Sequence, residues 1–135
     1  MIIGVGIDFV EINRIELVFK KWGSVFSRKI LSKKELHFFS SYENSRLPFL
    51  AITYLAKRFA AKEALAKSIG TGFRNNLNFK DIQILNDKIG KPYYQKSKKI
   101  DKIINNEFKV KAYDLFLSIS DEKDYSIAFT IIQKK

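Results

Sequence analysis

The sequence predicts an α+β fold in which helices, one of them long and central, pack on a small and mostly antiparallel sheet. Three features lead to this prediction: a glycine-containing strand near the N-terminus, one long run of helical composition, and two strand-like runs near the C-terminus. Helices and strands grouped in this way favour an α+β architecture over the regular alternation of a parallel sheet. With 135 residues, we expect one domain over 1–135.

The first predicted strand is the most informative. Residues 2–7 are rich in β-branched side chains, yet Gly4 and Gly6 interrupt them. Glycine inside a strand often marks a place where another backbone approaches closely, so we expect a short buried strand that ends at Asp8. Further strands are predicted by alternation of apolar and polar residues at 79–86, 114–120 and 125–133.

The strongest helical signal is residues 47–69, which are rich in Ala, Leu and Lys and are followed by Gly70. Its apolar residues fall on more than one side, so we expect this helix to be central and largely buried. Ser32 and Glu35 form a capping-box pattern at the start of another helix. The shorter helices are predicted at 13–21, 32–42 and near 96–107.

The charge of the chain predicts an anionic partner. Lys and Arg number 25 against 14 Asp and Glu, a net charge of +11. Such an excess suits nucleic acid, anionic lipid, an acidic protein or a phosphate-bearing ligand. Residues 14–34, 56–74 and 88–111 carry net charges of +6, +4 and +6. The first block mixes cations with apolar residues, as a docking helix for an acidic protein would, whereas the third equally well describes a solvated helix face.

The composition also excludes several classes of protein. The chain has no cysteine, which excludes disulfide scaffolds, thiolate zinc sites and cysteine nucleophiles and suits a reducing cytoplasm. Its longest uncharged run, residues 47–56, is about half of a membrane span. The N-terminus lacks the basic region of a signal peptide. We therefore expect a cytoplasmic protein without a membrane partner.

Two carboxylates are candidates for metal binding. Asp8, next to a glycine-containing strand, is well placed for a divalent cation, although an Asp there also commonly starts a turn or caps a helix. Glu63 lies at helical spacing on an apolar stripe, where a carboxylate needs a metal, a partner or a raised pKa. The alternative for Glu63 is a surface ion pair with Lys67. The stripe consists of Ile52, Leu55, Phe59 and Glu63.

Cations and a glycine turn suggest phosphate binding. Lys67 precedes the turn Gly70-Thr71-Gly72, which offers backbone N–H groups to a phosphate, although Gly70 is equally explained as a helix C-cap. Arg58 and Lys62, one helical turn apart, form a second pair suited to phosphate. Carboxylates and cations around such a turn favour metal-assisted chemistry on a phosphate over acyl or redox chemistry.

Four motifs, taken in order, resemble those of the holo-acyl-carrier-protein synthases, the short bacterial type of 4′-phosphopantetheinyl transferase. Each motif is weak alone, but their order and spacing cover nearly the whole chain. The motifs are Gly4-Val5-Gly6-Ile7-Asp8-Phe9-Val10-Glu11-Ile12 with Arg14, Arg58-Phe59-Ala60-Ala61-Lys62-Glu63-Ala64 with Lys67 and Gly70-Thr71-Gly72, Gly90-Lys91-Pro92, and Leu117-Ser118-Ile119-Ser120-Asp121.

The resemblance implies a reaction and a catalytic set. This family moves 4′-phosphopantetheine from coenzyme A to a serine of apo-acyl-carrier protein in fatty-acid biosynthesis, and it releases adenosine 3′,5′-bisphosphate. By resemblance, Asp8 and Glu63 hold a Mg²⁺ that bridges the pyrophosphate of coenzyme A. Lys67 and the Gly70-Thr71-Gly72 turn then contact that pyrophosphate, so that Asp8, Glu63 and Lys67 form the catalytic set.

The resemblance also implies roles outside this set. Arg58 and Lys62 lie near the phosphates of the nucleotide end, and Gly90-Lys91-Pro92 lies by the adenine. The family forms homotrimers with active sites at subunit interfaces. Many members carry a His where this chain has Phe116, which puts that wall of the nucleotide pocket in doubt. The residues expected to face the acidic carrier protein are Arg14, Lys21 and Arg28.

Two alternatives compete with this hypothesis. A basic nucleic-acid-binding module without catalysis would fit the charge of +11 and the 14% of aromatic residues, and it predicts salt-dependent retention on DNA or RNA. No RRM, KH or helix-turn-helix pattern supports it, so we expect no nucleic-acid partner. The other alternative is a non-catalytic binder of coenzyme A or of the carrier protein, against which Asp8, Glu63 and Lys67 argue.

Overall fold

The computed structural model describes residues 1–74 and 76–135, and it confirms the α+β class. Strands β1, β5 and β4 form an antiparallel sheet in the order β1-β5-β4, and β2 and β3 form a separate antiparallel ribbon. The elements are β1 (Ile2–Glu11), α1 (Ile12–Trp22), α2 (Ser24–Ile30), α3 (Lys33–Glu43), α4 (Phe49–Ile69), a 3₁₀ turn (Phe79–Asp81), β2 (Gln83–Asn86), β3 (Pro92–Gln95), α5 (Lys98–Phe108), β4 (Tyr113–Asp121) and β5 (Tyr125–Lys134).

Helix α4 packs directly against one face of the sheet, here called the inner face. The predicted close approach at the two glycines is confirmed. A Cβ built on Gly6 would lie 1.9 Å from the carbonyl oxygen of Ala64, and one on Gly4 would lie 2.4 Å from that of Ser68. Strand β1 therefore touches the backbone of α4, which brings the next inner-face residue, Asp8, alongside the helix.

The expectation that the first strand ends at Asp8 is wrong. Strand β1 continues to Glu11, and Asp8 pairs with Ala128 of β5 in the middle of the ladder. The ladder extends to the pair Glu11 and Tyr125, and it keeps Val10 buried on the inner face. Cross-strand pairing here outweighs the low intrinsic preference of Asp for strands.

Other differences have local causes. Gly23, whose φ is +57°, ends α1, and a second short helix, α2, follows it beyond the predicted helix 13–21, so the basic block 14–34 contains two helices and not one. Of the predicted strand 79–86, the first three residues form a 3₁₀ turn and only Gln83–Asn86 is strand. Pro92, expected in a loop, starts β3, a position that a proline tolerates because it opens the strand.

The opposite, outer face of the sheet is apolar and exposed. Its residues alternate with the inner-face residues along β1, and the register aligns them across β5 and β4. Their exposures range from 39% to 58%, for Val5, Ile7, Phe9, Phe116 and Phe129. Antiparallel sheets with one solvated face usually carry polar residues there, so this apolar face is suited to burial against another surface.

No helix within the described residues combines the length and the apolar character that crossing a membrane requires.

Candidate active site

Lys67 and Asp8 meet across the contact between α4 and β1. The ammonium of Lys67, in the last turn of α4, donates to Asp8 Oδ1 at 2.9 Å and to the carbonyl of Ile7 at 3.2 Å. The Asp8 side chain is 13% exposed and the Lys67 side chain 52%. Lys67 thus reaches β1, and the alternative of a surface pair between Lys67 and Glu63 does not describe this lysine.

Glu63 lies one helical turn before Lys67 and beside Asp8. Partial burial, and then the negative charge of Asp8, raise the pKa of the Glu63 carboxyl, while Lys67 and Arg14 act in the opposite direction. The two negative charges repel one another, and a bound cation relieves that repulsion. The close approach of Gly6 to α4 therefore produces a pair of carboxylates at the edge of the sheet.

The carboxylate pair has the composition expected for a shared magnesium site. Among residues 1–74 and 76–135, no group of three or more His, Cys, Asp or Glu side chains is placed to enclose a metal. Mg²⁺ in phosphate chemistry is typically held by one or two carboxylates together with phosphate oxygens and water. Asp8 and Glu63 therefore fit a Mg²⁺ that protein and substrate bind jointly.

The Gly70-Thr71-Gly72 turn is used to end α4. Gly70, with φ of +93°, donates its N–H to the carbonyls of Ala66 and Lys67, and Gly72 donates to Ala66 at 3.3 Å. The C-cap explanation for Gly70 is thus confirmed. The expectation of bare N–H groups is corrected for both glycines, because the helix end occupies those donors. A contact of this turn with pyrophosphate remains a prediction.

Lys62 does not form a phosphate-seeking surface pair with Arg58. Its side chain is completely buried, and its ammonium donates to Glu35 Oε1 at 2.5 Å and to the carbonyl of Ile30 at 2.7 Å. Burial lowers the pKa of Lys62, against the opposing effect of the Glu35 carboxylate. The lysine is turned into the interior because Glu35, in the first turn of α3, supplies its counter-charge there.

Arg58 lies where two cavities meet. A cavity of about 130 Å³ brings Arg58 together with Gly90 and Pro92 of the predicted adenine loop. Arg58 also lines a neighbouring cavity of about 600 Å³, whose walls include Tyr54 and Tyr93. A guanidinium next to aromatic rings is suited to a phosphate attached to a nucleobase. The lining of the smaller cavity does not include Lys91, whose predicted contact stays a prediction.

The structure adds residues to this region that the sequence did not suggest. The guanidinium of Arg58 donates through Nη2 to Asn86 Oδ1 at 2.6 Å, and it lies over the ring of Tyr54 at 4.6 Å. Tyr54 precedes Arg58 by one helical turn, a spacing visible in the sequence. Asn86 was placed only in a turn, and its contact with Arg58 depends on the position of the β2–β3 ribbon.

The predicted carrier-protein residues share one exposed surface on α1 and α2. Arg14, Lys21 and Arg28 are all exposed. Arg14 is close enough to Glu63 to lower its pKa, so this basic surface borders the carboxylate pair. Large apolar side chains between the cations are 57% to 62% exposed, namely Leu17, Trp22 and Val25.

Among the described residues, Phe116 does not line either of the two cavities around Arg58. It lies on the outer face of the sheet and pairs with Ile131, whereas Asp8 lies on the inner face. Ile119 and Asp121 of β4 contribute to the small cavity instead. Within the subunit, alternation along β4 directs Phe116 to the face opposite Asp8, and its effect on a wall of the pocket stays a prediction.

Comparison with known proteins identifies the family to which the chain belongs. The model of the 4′-phosphopantetheinyl transferase superfamily matches residues 4–130. A holo-[acyl-carrier-protein] synthase of Pelagibacter ubique is 46% identical over 99% of this chain and 98% of its own. The crystal structure of the Neisseria meningitidis synthase aligns with a TM-score of 0.84 at 39% identity, over 99% of this chain and 100% of the other.

A third relative was solved with ligand. The holo-(acyl-carrier-protein) synthase of Bacillus anthracis, in complex with CoA (3′,5′-ADP), aligns with a TM-score of 0.78 at 34% identity, over 100% of this chain and 99% of the other. The fold and these relatives thus define a phosphopantetheinyl transferase. Within that class, the chain belongs to the holo-[acyl-carrier-protein] synthase family, which confirms the resemblance drawn from its motifs. This result favours the enzyme over the nucleic-acid-binding alternative.

Proposed function

We propose that this enzyme transfers 4′-phosphopantetheine from coenzyme A to a serine of apo-acyl-carrier protein, requires Mg²⁺, and releases adenosine 3′,5′-bisphosphate. The observation that carries the proposal is the meeting of Asp8, Glu63 and Lys67 across the β1–α4 contact, beside an exposed basic surface. The Bacillus anthracis relative, in complex with CoA (3′,5′-ADP), supports coenzyme A as the donor.

The reaction is a displacement at phosphorus. The serine oxygen forms a bond to the pantetheine-side phosphorus, the bond to the bridging oxygen breaks, and adenosine 3′,5′-bisphosphate leaves with that electron pair. Asp8 and Glu63 would hold the Mg²⁺, which neutralises charge on the pyrophosphate when bound. Lys67 contributes a further positive charge at the same place. The serine proton goes to Glu63 or to a water beside it, the two candidate bases.

The nucleotide end of coenzyme A is assigned to the cavities around Arg58. Arg58 supplies a buried cation for a phosphate, and Gly90 and Pro92 line the adjoining wall, with Lys91 between them assigned to the adenine. The larger cavity offers tyrosine rings against which adenine can stack. The buried Lys62 does not line these cavities, so its contribution is assigned to the interior.

The carrier protein is assigned to the surface of α1 and α2. Arg14, Lys21 and Arg28 provide the charge complement to an acidic protein, and exposed apolar side chains between them provide anchors. Because Arg14 borders Glu63, a carrier docked here presents its serine to the carboxylate pair.

A homotrimer with shared active sites accounts for the outer face of the sheet. A patch that combines Val5, Ile7, Phe9, Phe116 and Phe129 is suited to burial between copies of the chain. Phe116 then contributes to this subunit contact.

The one-domain organisation over 1–135, the cytoplasmic location and the role in fatty-acid biosynthesis remain proposals. The proposed location rests on the absence of cysteine.

An Ile7→Lys variant is expected to shift the protein from trimer to monomer, because it buries a charge at the centre of the outer face. Light scattering after size-exclusion chromatography would show the wild type at three times the chain mass of 15.7 kDa and the variant at that mass. Val25→Lys, an equally exposed apolar residue on α2, should remain trimeric. A trimeric Ile7→Lys protein would contradict the assignment of this face.

The test of the proposed function is a mass measurement on the carrier protein. Wild-type enzyme, coenzyme A and Mg²⁺ are incubated with apo-acyl-carrier protein, and the carrier is expected to gain the mass of phosphopantetheine on one serine. EDTA should prevent the gain. A carrier that keeps its mass would refute the transferase, and an equal gain with EDTA would refute the requirement for Mg²⁺.

A further inference from the structure

Glu35 does more than cap α3. Its Oε1 accepts from the backbone N–H of Ser32 at 2.8 Å, which completes the predicted capping box, and also from the Lys62 ammonium at 2.5 Å. Its Oε2 accepts from the N–H of Ile84 at 3.1 Å and lies 3.8 Å from Arg58 Nε. The carboxylate therefore joins α3, α4 and β2 at one buried point.

Stability alone does not account for this arrangement. The side chains of Glu35 and Lys62 are completely buried, and that of Arg58 is 5% exposed. Taking such charges out of water is costly, and a well-packed apolar pair of similar volume often stabilises an interior as much or more. A capping box also needs no buried lysine. Within the described chain, Arg58 is the member of this network that lines a cavity, so a functional role of the network is expected to act through Arg58.

Arg58 is held on three sides. Asn86 accepts from its Nη2, the ring of Tyr54 lies against its face, and the Glu35 carboxylate attracts its Nε edge. The 3.8 Å separation is too long for a hydrogen bond, but it allows charge attraction in a buried setting. A guanidinium fixed in this way loses little freedom when it binds an anion.

We propose that Glu35 is a positioning residue for coenzyme A: together with Lys62 it fixes the guanidinium of Arg58 at the wall of the two cavities and so sets the affinity for the phosphate-bearing nucleotide end. The inference rests on the proposed function, since it takes Arg58 as a ligand of that substrate. Lys62 holds the Glu35 carboxylate in place through their 2.5 Å contact, and Glu35 orients Arg58.

A double-mutant cycle tests whether Glu35 acts through Arg58. The variants are Glu35→Gln/Lys62→Met, Arg58→Ala and the combination of all three. The paired change removes the Glu35–Lys62 ion pair as a whole, so that neither of these two charges is left in the interior without the other. The dissociation constant for coenzyme A is measured by titration calorimetry, and kcat and KM come from the carrier-mass assay. Thermal unfolding verifies that each variant is folded.

We expect Arg58→Ala to raise the dissociation constant about tenfold or more, the loss typical of a charge-assisted contact. The paired change should raise it about three- to tenfold while kcat stays within about a factor of two, because only the orientation of Arg58 is lost. The triple variant should match Arg58→Ala within about a factor of two, since coupled residues are not additive. Glu43→Gln, the same change on an exposed residue of α3, should leave binding unchanged.

Two results would overturn the inference. One is a dissociation constant of the paired variant that equals that of the wild type. The other is a triple variant in which the effects of the paired change and of Arg58→Ala multiply, as expected if Glu35 and Lys62 had a purely structural role. If the paired variant does not fold, Glu35→Asp replaces it, since it keeps the charge opposite Lys62 but withdraws the carboxylate from Arg58. Its effect must likewise vanish on the Arg58→Ala background. Wild-type protein that binds coenzyme A without transferring it refutes the proposed function alone, whereas absence of binding refutes both.

Discussion

A Glu63→Gln enzyme is expected to lose about a hundredfold or more of its transfer rate while remaining fully folded, a loss typical of removing one group that stabilises transition-state charge. The amide keeps the shape of the carboxylate but carries no charge, so the site retains only Asp8 for the metal. The remaining Asp8 carboxylate is engaged by Lys67 at 2.9 Å. Weaker Mg²⁺ binding and a lower kcat are therefore both expected.

The same substitution should not weaken the fold. In the absence of metal, burial and Asp8 raise the pKa of Glu63 in the folded state, so the folded protein binds a proton there more tightly than the unfolded chain does. The stabilisation from this proton is present at low pH and is lost as the pH rises through the raised pKa. At neutral pH, Glu63→Gln removes an unfavourable charge, and the free energy of unfolding is expected to be equal to or slightly above that of the wild type.

Three measurements together decide this prediction: the rate of phosphopantetheine transfer, the Mg²⁺ concentration needed for half of that rate, and urea unfolding at pH 5 and pH 8 without metal. Glu107→Gln, an exposed residue of α5, is the matched control and should behave as wild type. Full transfer activity in Glu63→Gln would remove Glu63 from the metal site, even if the proposed reaction itself were observed.

Local sequence patterns predicted the contact that brings the two carboxylates together, whereas their pairing at one site was implied by the family resemblance. Two glycines in a β-branched run predicted a close approach, and the structure shows that approach at Gly6. Because β1 touches α4 there, a motif on the strand and a motif on the helix necessarily meet. Asp8, Glu63 and Lys67 come together for this reason, although Asp8 and Lys67 are separated by 59 positions.

Lys62 shows where such patterns were insufficient. It is adjacent to Glu63 in the sequence and one turn from Arg58, which suggested a shared role with phosphate. Successive helical residues differ by about 100° in direction, so Lys62 points away from Glu63. Its partner, Glu35, is 27 positions away on another helix, and helical spacing carries no information about such a contact. The capping box identified Glu35 only as the start of α3.

The outer face of the sheet was missed for a different reason. An alternating pattern predicts a strand with one buried and one exposed face. Phe116 and Phe129 are large and apolar although they lie on the exposed face of this subunit. Burial that depends on a second chain leaves the same pattern as a core, so the sequence alone does not distinguish the two.

The largest expected effect on stability is that of Gly6→Ala. The added methyl group would lie 1.9 Å from the carbonyl oxygen of Ala64 and 2.7 Å from the backbone nitrogen of Ser68. Both atoms belong to the backbone of α4, so no side-chain rotation relieves the overlap. Strand and helix must move apart, and we expect a loss of about 3 kcal/mol or more, at the upper end of overpacking costs. Such a loss is a large part of the total of about 5–15 kcal/mol for a domain.

Gly90→Ala is the control for Gly6→Ala, because it introduces a backbone penalty without a steric overlap. Gly90 has φ of +88°, but a Cβ there meets nothing within 4 Å, so only the left-handed conformation is penalised, by about 1–2 kcal/mol. Urea unfolding of both variants measures the difference in the free energy of unfolding, and equal losses would show that β1 does not touch α4 as described.

The same contact sets the distance between Asp8 and Glu63. The part of the Gly6→Ala protein that still folds should therefore bind Mg²⁺ more weakly, whereas folded Gly90→Ala should bind it normally. Packing at Gly6 is thus expected to control both the stability of the fold and the assembly of the proposed metal site.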